Sequence, residues 1–84
     1  METTLDKLPT GKVGEIISIN TNQALKKRLL DLGLVSGTKI KKLYKSPLND
    51  PCAYLIRGSV IALRNEDAKK ILVNYKEKEK LGGN

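Results

Sequence analysis

Histidine, tryptophan and phenylalanine are missing from this chain of 84 residues, and cysteine occurs once, as Cys52. Each absence removes a class of chemistry. Without His, general acid–base work would fall to a desolvated carboxylate pair, and nucleophilic work to an activated Ser or Cys. Cys52 has no His partner, and Lys45 is no evident substitute. Transition-metal sites need clustered His, Cys and carboxylate ligands, whereas the carboxylates here are scattered. Asp50 beside Cys52 is the nearest approach to a ligand pair, and a loop acid next to a strand cysteine is more often structural. No metal site, cofactor or catalytic residue is therefore expected. Gly11-Lys12-Val13-Gly14 lacks the spacing of a phosphate-cradling loop. A single cysteine permits no internal disulfide, which fits a reducing compartment. The longest apolar runs are a few residues, far short of the ~20 that span a bilayer. No basic segment followed by an apolar one opens the chain, so no secretory signal is expected. These absences describe a soluble, cytoplasmic protein that is not an enzyme.

What is present is charge. Sixteen Lys and Arg against nine Asp and Glu give a formal net charge of +7. The tail at 76–80 alternates Lys and Glu and contributes one of those charges, so the body is basic in its own right. Such a surface suits nucleic acid, an anionic membrane or an acidic protein patch, and charge alone does not choose. The length allows one small core. Residues 1–75 read as the domain. The charge alternation and Gly82-Gly83 mark 76–84 as a disordered tail.

The most informative stretch is LKKRLLDLGLVSGT, residues 25–38. Leu25, Leu29 and Leu32 recur at i, i+4 and i+7, one stripe of a helix, with Lys26, Lys27 and Asp31 off it. Gly33 is placed to end that helix in the left-handed conformation, with Leu34 folding back onto Leu29. Ser36-Gly37 then reads as the centre of a type II turn. The helix is expected over about 21–32, capped by Asn20 with Gln23 three residues on. Before it, Leu5 and Leu8 pack under the domain, and 13–19 is a β-branched strand with Val13, Ile17 and Ile19 opposite Ile16.

After the turn, 38–45 reads as a strand anchored by Ile40 and Leu43. The broken alternation there implies a bulge, or an inward Lys42 whose ammonium reaches water. Ser46-Pro47-Leu48-Asn49-Asp50-Pro51 is a loop. Residues 52–57 and 59–64 form a hairpin around Gly58. Asn65 caps a short helix, with Glu66 and Asp67 at its positive end and Lys69 and Lys70 at its negative end. Ile71, Leu72 and Val73 make a last strand against the first. Five short strands without long exposed edges favour a small closed or nearly closed β-barrel, plugged at one end by the leucine stripe.

Three pieces, RLLDLGLVSGT, SPLNDP and RGSVIALRNEDAKKILV, resemble in order and spacing the FeoA family of small ferrous iron transport proteins. The likeness covers about residues 8–73. It implies an SH3-like β-barrel, mainly β, with one helix after the first strand and a short helix before the last. It also implies an accessory role beside FeoB, the membrane GTPase permease for ferrous iron. Ser36 stands where the family often has proline, Asn49 where it often has glycine, and Lys42 where it tends to be apolar. The same domain ends certain metal-dependent repressors, so the resemblance bears on the fold more firmly than on the task.

Two binding functions remain. For nucleic acid, Lys39, Lys41 and Lys45 share a strand face, and Lys26, Lys27 and Arg28 lie on the helix. Only Tyr44, Tyr54 and Tyr75 are available to stack on bases, and a solvated lysine surface is the plainer explanation. For protein binding, Leu30 lies off the helical stripe beside Lys26 and Lys27. Pro47 and Leu48 are apolar at a loop tip, with Tyr54 expected nearby. A barrel this small has no interior for a ligand, so an outer surface must do the recognising. The expected contact residues are Lys26, Lys27, Leu30, Pro47, Leu48 and Tyr54, docking on a FeoB-type transporter with the basic residues steering the approach. Membrane contact is expected only through that partner.

Overall fold

A computed structural model of the chain describes residues 1–76; of the tail expected at 76–84, all but Lys76 lies outside the described residues. The elements in chain order are β1 (Glu2–Thr4), a 3-10 turn (Leu5–Lys7), β2 (Val13–Ile19), α1 (Gln23–Asp31), β3 (Lys39–Lys45), β4 (Cys52–Ile56), β5 (Ser59–Leu63), α2 (Asn65–Ala68) and β6 (Ile71–Tyr75). All strand pairs are antiparallel, in a six-stranded sheet of order β1-β6-β2-β3-β4-β5. The expected last strand does lie against the expected first, with Ile16 opposite Val73 and Ile19 opposite Ile71.

The barrel does not close into a ring. A strand of Glu-Thr-Thr with no apolar alternation, invisible as a strand in isolation, pairs along the second side of β6. With both sides of β6 used, β5 and β1 remain as the two edges of the sheet.

The core gathers the inward faces of the strands with the leucines of the N-terminal turn and α1. Leu5, Leu8, Leu29, Leu34, Ile40 and Ile71 are all buried in it. Burial of one such side chain is worth roughly 1.5–3 kcal/mol, and several converging on one centre hold a sheet this small. Three assignments shift at this level. In β2 the buried residues are Gly14, Ile16 and Ile19, whereas Val13 is exposed, because a register shift between Ile16 and Ser18 moves Ile19 to the face of Ile16. In α1 the cap is Asn22, not Asn20: its side chain accepts from the Leu25 N–H at 2.9 Å. Of the leucine stripe, Leu29 is buried and Leu25 packs against the core, but Leu32 is 43% exposed. Leu34, across the helix stop, takes the buried place expected of Leu32.

The stop itself is as the sequence implies. Gly33 has φ of +96°, its N–H donates to Leu30 O at 2.9 Å, and the Leu34 N–H donates to Leu29 O at 3.0 Å. That is the paired 6→1 and 5→2 pattern, with Leu34 and Leu29 both fully buried. The following turn is closed by Thr38 N–H to Val35 O at 3.1 Å, with positive φ at Gly37.

In β3 the bulge and the inward lysine occur together, but the ammonium finds a protein acceptor. The register slips between Lys42 and Tyr44, and Lys42 lies inward. Its ammonium donates to the Asp6 carbonyl at 2.8 Å, and the residue is 2% exposed. The aliphatic stem supplies the packing of an apolar residue, while the protein supplies an acceptor for the charge.

Candidate partner-binding surface

The 46–51 loop joins β3 to β4 and carries its own internal bonds. Ser46 N–H donates to Pro51 O, Asn49 N–H to Ser46 O, and Asp50 N–H to Ser46 Oγ. Asn49 has φ of +64°, the left-handed position that asparagine tolerates better than most residues. The Asp50–Pro51 peptide bond is cis. With its polar groups turned inward, the loop projects Pro47 and Leu48 outward, and Leu48 is 86% exposed.

The same loop is fastened to α2. The Asp50 carboxylate accepts from the Asn65 N–H at 2.9 Å, and Asn65 Nδ2 donates to Asn49 O at 2.8 Å. Asn65 is therefore the first helical residue and not the cap. The residue at the cap position, Arg64, offers no side-chain bond, and Asp50 fills that role from across the fold. The buried Cys52 thiol points at Asn49 O and Asn65 Oδ1, at 3.7 and 3.6 Å. Asp50 and Cys52 thus serve as a latch between loop and helix. Among the described residues no three His, Cys, Asp or Glu side chains gather into a group.

α1 touches α2 through Arg28, which pairs with Asp67 at 3.7 Å. With the arginine side chain 68% exposed, this contact orients more than it stabilises. A shallow depression between the two helices is lined by Leu25, Arg28, Arg64, Glu66, Asp67 and Lys70. Lys26, Lys27 and Leu30 are exposed on α1, Leu30 at 43%. Each of the two segments named from the sequence thus has a bond to α2, the loop through Asn49 and Asp50 and α1 through Arg28.

Tyr54 is the exception. It stands inward on β4 opposite Lys42, fully buried, with its hydroxyl 3.5 Å from the Leu5 carbonyl. Burial pushes its hydroxyl well above the usual tyrosine range, with the charges of Cys52 and Asp6 adding to the effect. It is a core residue with no surface to offer a partner. The exposed aromatic is Tyr44, at 59%, one register slip away on β3.

The sheet carries a second surface, which the sequence does not announce. On the outer face of the sheet, Val13, Lys41, Leu55 and Val60 lie in one row across β2, β3, β4 and β5, and Tyr44, Ala53 and Ala62 lie in the next. Val13, Tyr44 and Val60 are among the most exposed apolar side chains of the molecule. The signal was weak because it depends on the bulge in β3, which turns Tyr44 outward, and on the open end of the sheet at β5. The expected lysine face is present in part. Lys39 and Lys41 lie on β3, and Lys39 joins Lys12 and Lys76 around a cleft beside β2 that Glu15 also lines. Among the described residues, no helix is long and apolar enough to cross a membrane.

The family model described as the FeoA domain matches residues 3–75. An Fe(2+) transport protein A of Campylobacter jejuni is 34% identical over 71 residues, which cover 84% of this chain and 96% of that protein. A protein of Porphyromonas gingivalis in which Fe(2+) transport protein A is fused to the Fe(2+) transporter FeoB is 38% identical over 69 residues. The match covers 82% of this chain and 8% of the fusion protein's length. The crystal structure of Stenotrophomonas maltophilia FeoA, described as an SH3 domain protein and complexed with zinc, superposes with a TM-score of 0.76. It is 29% identical, over 86% of this chain and 89% of that one.

Proposed function

The chain belongs to the FeoA domain family, and from that premise we propose that it is a non-enzymatic accessory protein of bacterial ferrous iron uptake. It binds a FeoB-type membrane GTPase transporter from the cytoplasm through protein–protein contacts and modulates it. The observation that carries the reading is the P. gingivalis fusion, where a segment 38% identical to this chain is joined to such a transporter in one polypeptide. Fusion fixes two modules at high effective concentration, an arrangement that favours modules acting on one another.

The contacts fall on the end of the molecule built around α2: Leu48 and Pro47 on the loop, Leu30 on α1, with Lys26 and Lys27 steering the approach of an acidic surface. Modulation follows if these contacts are stronger in one transporter conformation than in another. The experiment is retention of the detergent-solubilised transporter on immobilised full-length chain. Leu48→Asp leaves the fold intact, since the side chain touches little, and retention drops. Unchanged retention removes the loop from the interface, and no retention by the unaltered chain contradicts the reading.

A further inference from the structure

The free edge of β5 is the feature that the contacts around α2 leave unused. β4 and β5 are joined by the two residues Arg57 and Gly58, both with positive φ (+51° and +80°), a type I′ hairpin. In such a hairpin the pair next to the turn, Ile56 and Ser59, exchanges hydrogen bonds, and bonded and non-bonded pairs then alternate. Ser59, Ile61 and Leu63 therefore spend their main-chain groups on β4. Val60 and Ala62 turn theirs to the open side, where no strand follows among the described residues.

Natural edges are usually blunted by a charge, a proline or a bulge within the strand. Ser-Val-Ile-Ala-Leu has none, and Ser59, Val60 and Ala62 are exposed. The charges stand at its two ends instead: Arg57 at the turn and Arg64 just past the strand, both exposed.

We propose that β5 receives an extended segment of another protein as a seventh, antiparallel strand. That segment carries apolar residues on the face of Val60 and Ala62 and acidic residues at both ends, against Arg57 and Arg64. The five residues of β5 span roughly 17 Å, so a segment of about seven residues places its terminal acids beside the two arginines. A second copy of this chain fits poorly. Antiparallel pairing of β5 with itself about Ile61 sets the Arg64 of one copy beside the Arg57 of the other at both ends, between bodies of charge +7. This deepens the reading above and rests on it for the nature of the partner.

The probe is the peptide acetyl-Asp-Thr-Val-Thr-Val-Thr-Glu-amide, with a control in which both acids are lysine. Amide exchange of the full-length chain is followed by NMR at about 1 mM peptide, a concentration that populates weak complexes. The acidic peptide slows the Val60 and Ala62 amides by about threefold or more and leaves Ser59, Ile61 and Leu63 unchanged, while the lysine peptide has no effect. Val60→Pro removes an outward N–H without touching the β4 ladder, and abolishes the slowing. Should that variant fail to fold, Arg64→Glu weakens the acidic peptide and strengthens the lysine one. Slowing by neither peptide, or by both equally, overturns the proposal. So do Val60 and Ala62 amides already protected in the free chain, or a dimer in sedimentation that Val60→Pro dissolves. A transporter held equally by wild type, Val60→Pro and Arg64→Glu but lost with Leu48→Asp sinks this inference and spares the function proposed above.

Discussion

Tyr54 shows how far one buried hydroxyl ties stability to pH. Its ring is in the core, and the low-dielectric surroundings disfavour the phenolate, so its folded-state pKa lies above the ordinary value. Below the unfolded value of about 10 both states keep the proton and this contribution is whole. Above it the unfolded chain releases the proton first, so stability falls as pH rises. Urea midpoints measured between about pH 9 and pH 11 should decline, and more steeply than in Tyr54→Phe, which lacks the titrating group. Equal slopes would place the hydroxyl in water.

Among the elements, the stop of α1 and the latch on α2 are the joints that position the proposed surface. Gly33→Val asks a β-branched residue to hold a φ of +96°, with its Cβ 3.3 Å from the Arg57 Cδ. The expected cost is about 1–3 kcal/mol, read as a lower denaturation midpoint. An unchanged midpoint would refute the helix stop. Asp50→Ala removes the acceptor of the Asn65 N–H and should cost about 1 kcal/mol, the worth of a lost helix cap. It should also loosen the loop that presents Leu48, seen as faster amide exchange at 46–51. What the sequence revealed at this scale were features written locally: the Gly33 stop, the Gly37 turn, the Gly58 hairpin and the 46–51 loop. The hidden ones depend on residues distant in the chain. The Glu2–Thr4 strand exists only by pairing with β6. The outward turn of Tyr44 needs a register slip against β4, and the cap on α2 comes from Asp50, fifteen residues before Asn65. Tyr54, expected near the loop tip but buried in the core, belongs with these, because nothing local says which face of β4 meets Leu5.

At the scale of the whole molecule, an open six-stranded sheet with its core filled by leucines and isoleucines leaves binding to its outside. The basic surplus of +7 lends the approach to an acidic partner a salt dependence. It would lend the same to nucleic acid, whose phosphates attract any basic surface. Labelled RNA should therefore be shed by about 0.15 M salt, whereas a transporter held through Leu48, as proposed, should stay bound. The most direct test of the account is a calorimetric titration of the full-length chain into a purified FeoB-type transporter, in buffer stripped of ferrous iron by a chelator. Saturable binding that persists without the metal is the predicted result. Binding that appears only once ferrous iron is restored, or no binding under either condition, would contradict it.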